Sequence, residues 1–151
     1  MRVALTQGGI KVVGHDEDVV FVQASPRVSS KRKQRSDGLR MIPNRSTGLA
    51  VERDGNSFTI GRSSWSSTVD FLVKVPYKSS LNLSTHNSGK IEVENIEGEI
   101  EANNSNGSIH MSGISGVVVA HSSNGRVLVS FDKVTPDKEM SFISYNGTID
   151  V

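Results

Sequence analysis

From Gly89 onward the chain alternates. Apolar residues recur at every second position in short runs, Ile91 and Val93, then Ile109 and Met111, then Val127 and Val129, with polar residues mostly between them. A period of two marks a half-buried strand, because successive side chains on a strand point to opposite faces. Each run follows a glycine: Gly89, Gly107 and Gly125 are spaced by 18 residues, and so are Gly98 and Gly116. The second half of each unit repeats as well, Ile100 and Ala102 being matched by Val118 and Ala120. A fixed period of this size marks a stacked repeat. Two strands and two corners per unit predict one turn of a β-solenoid, an all-β fold with rungs of about 18 residues.

The register survives one insertion. From Gly125 to Gly147 the spacing grows to 22, and the extra residues fall around 135–138, where Pro136 and Asp137 fit a longer corner loop. Counting back from Gly147 leaves Met140 in the column of Ile100 and Val118, and Phe142 in that of Ala102 and Ala120. Upstream, "GGIKVVG" places Ile10 and Val12 in the inward columns, and after a "HDED" corner "VVFVQA" reads as the next strand of that copy. Two further runs alternate: Val69, Phe71, Val73 and Val75 share a face, as do Leu81 and Leu83, with Pro76 as a strand stop. No segment holds helical periodicity for ten residues without a Gly or Pro.

The corners carry Asn-Gly, a pair that tolerates positive φ at low cost. Stacked rungs lie about 4.8 Å apart, so Ser105 over Ser123 and Asn106 over Asn124 are placed to hydrogen-bond along their columns. Residues 1–151 then read as one solenoid domain, with a basic, loop-rich insertion over 25–56 and regular repeats over 84–151. The terminal "YNGTIDV" stops in mid-strand and leaves Ile149 and Val151 uncovered, so the natural chain is expected to be longer.

Composition narrows the picture further. At 151 residues one domain is the expectation, and 35% apolar and 5% aromatic residues with 14 glycines suit short strands and tight turns. The absence of cysteine excludes disulfides, thiolate metal sites and thiol nucleophiles. No run approaches the roughly 20 apolar residues of a membrane-spanning helix, and Met1 is not followed by the apolar core of a secretory signal.

The stretch "VDFLVKVPYKSSLNLSTHNSGKIEVENIEGEIEANNSNGSIHMSGISG" resembles the bacterial putative-adhesin β-strand-repeat family, in which a "V-x-V-P" strand precedes rungs of the form T-x-N-G-x-I-x-V. The resemblance runs from about Val69 to Val151, and "GGIKVVG" fits the family's first rung. It implies a right-handed single-chain β-helix, export to the periplasm, cell surface or medium, and an adhesin role; it supplies no catalytic residues. The basic segment between Arg27 and Arg53 departs from the pattern.

Four features are candidates for chemistry. Residues 27–53 hold eight Lys and Arg against two acids, a net +6 beside +1 for the whole chain. Lys31, Arg32, Lys33 and Arg35 could meet a polyanion, although a solvated loop explains them as well and no aromatics interleave to stack bases, which disfavours nucleic acid. Glu92, Glu94, Glu99 and Glu101 could form a carboxylate cluster, but neighbouring rungs place His110 and Leu128 in the column of Glu92 and Val117 in that of Glu99, which reads as a solvated face. Trp65 is the lone tryptophan, a sugar platform or a capping residue. Outward Val117, Val119 and Leu128 suggest a strip that a second copy or further chain could cover. The four histidines share no column, no G-x-S-x-G elbow is present, and no metal-ligand spacing appears.

The sequence thus leads to an exported binding module without catalytic residues or cofactor, whose partners would be glycans, matrix proteins or other surface polymers. An envelope scaffold that assembles through its ends or the valine strip is the alternative. A polysaccharide lyase or hydrolase, which needs convergent carboxylates, is a distant third.

Overall fold

The computed structural model describes residues 1–27, 49–55, 57–62, 68–87 and 89–151. Among them the fold is all-β, without helix. The strands are β1 (Arg2–Gln7), β2 (Ile10–His15), β3 (Phe21–Pro26), β4 (Leu49–Asp54), β5 (Ser57–Arg62) and β6 (Val69–Pro76). They continue with β7 (Leu81–Asn87), β8 (Ile91–Asn106), β9 (Ile109–Asn124), β10 (Val127–Val134), β11 (Ser141–Asn146) and β12 (Ile149–Asp150). All twelve join one sheet.

Two ladders make up the sheet. One runs β3–β6–β2–β8–β9–β10–β12 through the first halves of β8 and β9. The other runs β4–β5–β1–β7–β8–β9–β11 through their second halves. Their inward residues meet in one apolar cluster, in which Ile91, Val93, Ile109, Met111 and Val127 face Ile100, Ala102, Val118 and Ala120. The 18-residue spacing is the pairing register itself: Ile91 lies beside Ile109, Ile100 beside Val118, and Ile109 beside Val127. After the 135–138 corner the offset becomes 22, with Ser141 beside Val119 and Ile149 beside Val127.

Corner chemistry sets this geometry. Asn95 (φ 55°) and Gly113 (φ 64°) both turn the chain in the left-handed region, one above the other. A strict 18-residue count would put Phe131 at the third such corner, where a bulky residue is strained. The chain avoids this by a bulge: Phe131 pairs with Ile114 and the register returns at Lys133 beside Ser115. At the Asn-Gly corners the constraint is close approach. A Cβ on Gly107 would lie 2.9 Å from the carbonyl carbon of Gly89 and 2.9 Å from Nδ2 of Asn104, and would overlap the Gly89 oxygen.

Two features differ from the sequence reading. The first is order. The layer formed by β1 and β2 does not begin the stack; it lies between the layer of β5 and β6 and the layer that β7 opens. Residues 77–80 step across it, with the Tyr77 amide donating to His15 O and the Glu97 amide donating to Tyr77 O. Second, "VVFVQA" is not a parallel repeat: β3 runs antiparallel on β6, Val22 opposite Val73. The segment read as loop-rich over 25–56 ends in β4, which forms an antiparallel hairpin with β5, Val51 opposite Ile60. These antiparallel strands end the ladders at one side, covering edges that would otherwise present unpaired backbone. At the other side Ile149 (44% exposed), beside Val127, and Val151 (63% exposed) have no strand over them among the described residues.

Candidate functional site

Along one edge of the second ladder the corner asparagines stack. Asn87, Asn106, Asn124 and Asn146 occupy one column, each exposed. Nδ2 of Asn124 donates to Oδ1 of Asn106 at 2.9 Å, and Nδ2 of Asn146 donates to Oδ1 of Asn124 at 2.8 Å. Asn106 reaches Oδ1 of Asn87 at 3.5 Å. Nδ2 of Asn106 also donates to His86 O at 3.2 Å and Nδ2 of Asn124 to Ser105 O at 3.5 Å, so, with two N–H groups and two acceptor lone pairs on a primary amide, each inner member has both donors engaged and keeps one acceptor lone pair. The chain therefore offers the same amide at four successive layers, with Gln7 beside Asn87 on the next.

Immediately inside this edge runs a second polar column that the alternation does not reveal. Thr85, Asn104, Ser122 and Ser144 take inward positions, and each donates to the glycine carbonyl of the preceding layer. The distances are 3.0 Å from Thr85 to Gly8, 2.7 Å from Asn104 to Gly89, 3.1 Å from Ser122 to Gly107 and 2.9 Å from Ser144 to Gly125. The first three residues are buried, where an unmade hydrogen bond would be destabilising. Their role is structural: they satisfy the carbonyls that the glycine corners bring together.

The four glutamates are not one cluster. Glu92 and Glu94 lie on the first ladder, Glu99 and Glu101 on the second, and the Asn95 corner separates the pairs. Each meets a donor: Glu92 pairs with Lys90, Glu94 with Lys11 at 2.7 Å, Glu99 with Lys138 at 3.2 Å, and Glu101 accepts from Asn82 at 2.6 Å. The Lys90 ammonium, hydrogen-bonded to Glu92, holds that carboxyl below its ordinary value of 4.5, and the hydrogen bond to Glu94 raises Lys11 above its ordinary 10.5. No group of three or more His, Asp or Glu able to hold a metal occurs among the described residues.

Val117, Val119 and Leu128 do not form one strip either. Leu128 sits in the column of Glu92 and His110 on the first ladder, whereas Val117 and Val119 sit beside Glu99 and Glu101 on the second. The two valines help line an open cleft of about 460 Å³ with Leu81 and Ile100. Lys31, Arg32, Lys33, Arg35 and Trp65 lie outside the described residues. Arg27, at the margin of the basic segment, pairs with Asp70 at 2.6 Å.

A larger cleft, of about 680 Å³, opens beside the antiparallel pair β3–β6, lined by His15, Asp16 and Glu17 together with Gln23 and Leu72. Phe21 stands at its rim, 51% exposed, beside its cross-strand neighbour Lys74. The sequence holds little signal for it, because its walls meet only through the antiparallel placement of β3.

No helix among the described residues is long and apolar enough to cross a membrane. No family model and no curated protein matches the chain. Among solved structures, a putative cell adhesion protein from Clostridium sporogenes aligns over 99% of this chain and 90% of its own, with a TM-score of 0.47 and 9% identity.

Proposed function

We propose that the chain is a right-handed β-solenoid of the putative-adhesin kind, exported from a bacterium, and that it is a non-catalytic module that binds a repetitive surface partner, a glycan or matrix polymer. The observation that supports this reading is the asparagine column: four equivalent amides at successive layers, about 4.8 Å apart by strand spacing, each with hydrogen-bonding capacity left over. A polymer with its own short repeat can meet such an edge at several points at once, and several weak contacts add to a useful affinity. The test is a binding screen of the chain against immobilised glycans, matrix proteins and heparin, with reducing-end release followed in the same wells. Saturable binding without product is the expected result. Product release would replace the module reading by an enzyme, and silence in both channels would remove it.

A second reading, a scaffold that assembles through the layer ends, draws on the exposed residues Ile149 and Val151. It predicts a particle size that grows with concentration in small-angle scattering.

A further inference from the structure

We infer that the 680 Å³ cleft beside β3 is a saccharide site for one or a few neutral sugar residues. The inference rests on reading the chain as a binding module, but not on which edge a polymer follows. Its volume falls within the roughly 300–1,000 Å³ of small-molecule sites.

The lining has both halves of what a pyranose needs. Phe21 offers a half-exposed aromatic face and Leu72 an aliphatic surface for the C–H side of a sugar ring. Around them stand groups of both hydrogen-bonding senses: Asp16 and Glu17 accept, Lys74 donates, and Gln23 does both. None of the three charged residues forms an ion pair with a described residue. This contrasts with Glu92, Glu94 and Glu99 on the regular layers, each of which has a lysine.

His15 backs the aromatic face. The backbone amide of Glu17 donates to its Nδ1 at 3.1 Å, which leaves the proton of the neutral ring on Nε2. That Nε2 is buried and has no partner among the described residues. The imidazole is held at 6.0 Å, tilted by 48°, against the Phe21 ring. An atom as enclosed as Nε2 is not reached from the cleft, so His15 serves the site by bracing the Phe21 ring. Charge selects among sugars: two carboxylates against one ammonium disfavour uronic acids and other acidic residues.

The experiment is a ¹H–¹⁵N NMR titration of the full chain with chitotriose, maltotriose and, as the acidic comparison, trigalacturonate. The expected result is that at least one neutral trisaccharide shifts amides over 15–23 and 72–74, that trigalacturonate binds more weakly, and that Phe21→Ala weakens the neutral sugar by about tenfold or more. Because Phe21 is half-exposed, the variant should keep its fold, seen as an unchanged spectrum away from the cleft; Val119→Ala, on the other ladder, should bind as the parent does. No shift from either neutral sugar at millimolar concentration, shifts mapping elsewhere, indifference to Phe21→Ala, or tighter binding of trigalacturonate would each overturn the inference. Polymer capture by a protein whose cleft stays silent sinks the cleft alone. Trisaccharide binding by a protein that captures no polymer supports the cleft and sinks only the polymer-edge reading.

Discussion

Gly107→Ala tests the stacking geometry most directly. The added methyl would sit 2.9 Å from the Gly89 carbonyl carbon and 2.9 Å from Nδ2 of Asn104, and nearer still to the Gly89 oxygen, which is backbone and cannot rotate away. Relief requires the two layers to separate, and that also breaks the 2.7 Å hydrogen bond from Asn104 to Gly89 O and strains the neighbouring Ile91 amide to Ser108 O bond of 3.0 Å. Overpacking costs about 1–3 kcal/mol, and leaving the buried Asn104 amide without its acceptor costs about 1–3 kcal/mol more. A total of about 2–6 kcal/mol lowers Tm by about 4–24 °C at the roughly 2–4 °C per kcal/mol usual for this chain length. Gly61→Ala is the matched control: its nearest neighbour is Ala4 O at 3.8 Å, an ordinary contact. There the loss of backbone freedom in the unfolded chain leaves stability unchanged or higher by up to about 1 kcal/mol. Thermal unfolding by circular dichroism reads both. Equal melting temperatures for the two variants would refute the account of the glycine column.

Two further predictions follow from the same register. Ile109→Asp puts an unpaired carboxylate between Ile91 and Val127 at a position with no exposure and should prevent folding or lower Tm by more than about 10 °C, whereas Lys90→Asp, exposed, should be mild; similar unfolding midpoints would sink the assigned faces. Glu92 is held below its ordinary 4.5 by Lys90, so its contribution is present above that value and fades as pH falls through the lowered one; the stability gap between the parent and Glu92→Gln should be small at pH 7, shrink in acid and shrink with salt. A gap that widens toward pH 3 would reverse that assignment.

Periodicity made the inward columns legible. Ile91, Ile109 and Val127 must all be apolar to face one core, so a strict count recovers their pairing, and it carries Phe142 across the 135–138 insertion to its place beside Ala120. Periodicity says nothing about the order of layers, however, because any apolar column fits against any other. That is why the position of β1 between β5 and β7, and of β2 between β6 and β8, is a property of the fold and not of the alternation. The β4–β5 hairpin did have a local signal, Asp54-Gly55 between two runs containing Val51 and Ile60. Thr85, Asn104 and Ser122 look like corner residues by type, and only the glycine carbonyls opposite them explain why they are buried. The glutamates read as a solvated face on two successive strands, and the left-handed turn at Asn95 sends the two pairs to different ladders.

The two proposed contact regions differ in kind, and the difference follows from where the repeat holds and where it breaks. On the regular layers the outward columns vary freely, Glu92 giving way to His110 and Leu128, so a repeating partner meets no repeating chemistry there. Among the described residues the asparagine edge repeats over four layers, tied together by its own amide ladder. Binding at that edge would be spread over four amides, and removing one, as in Asn124→Ala, should weaken it only modestly, since each layer contributes a similar small part. The cleft lies where β3 departs from the parallel pattern, outside the constraint that neighbouring layers impose, and its side chains are accordingly unlike one another. A site of that kind concentrates its affinity in one aromatic, so that a single change at Phe21 should abolish most of it. Graded loss along the edge and abrupt loss at the cleft are thus the two signatures by which stacked and unstacked parts of this chain can be told apart.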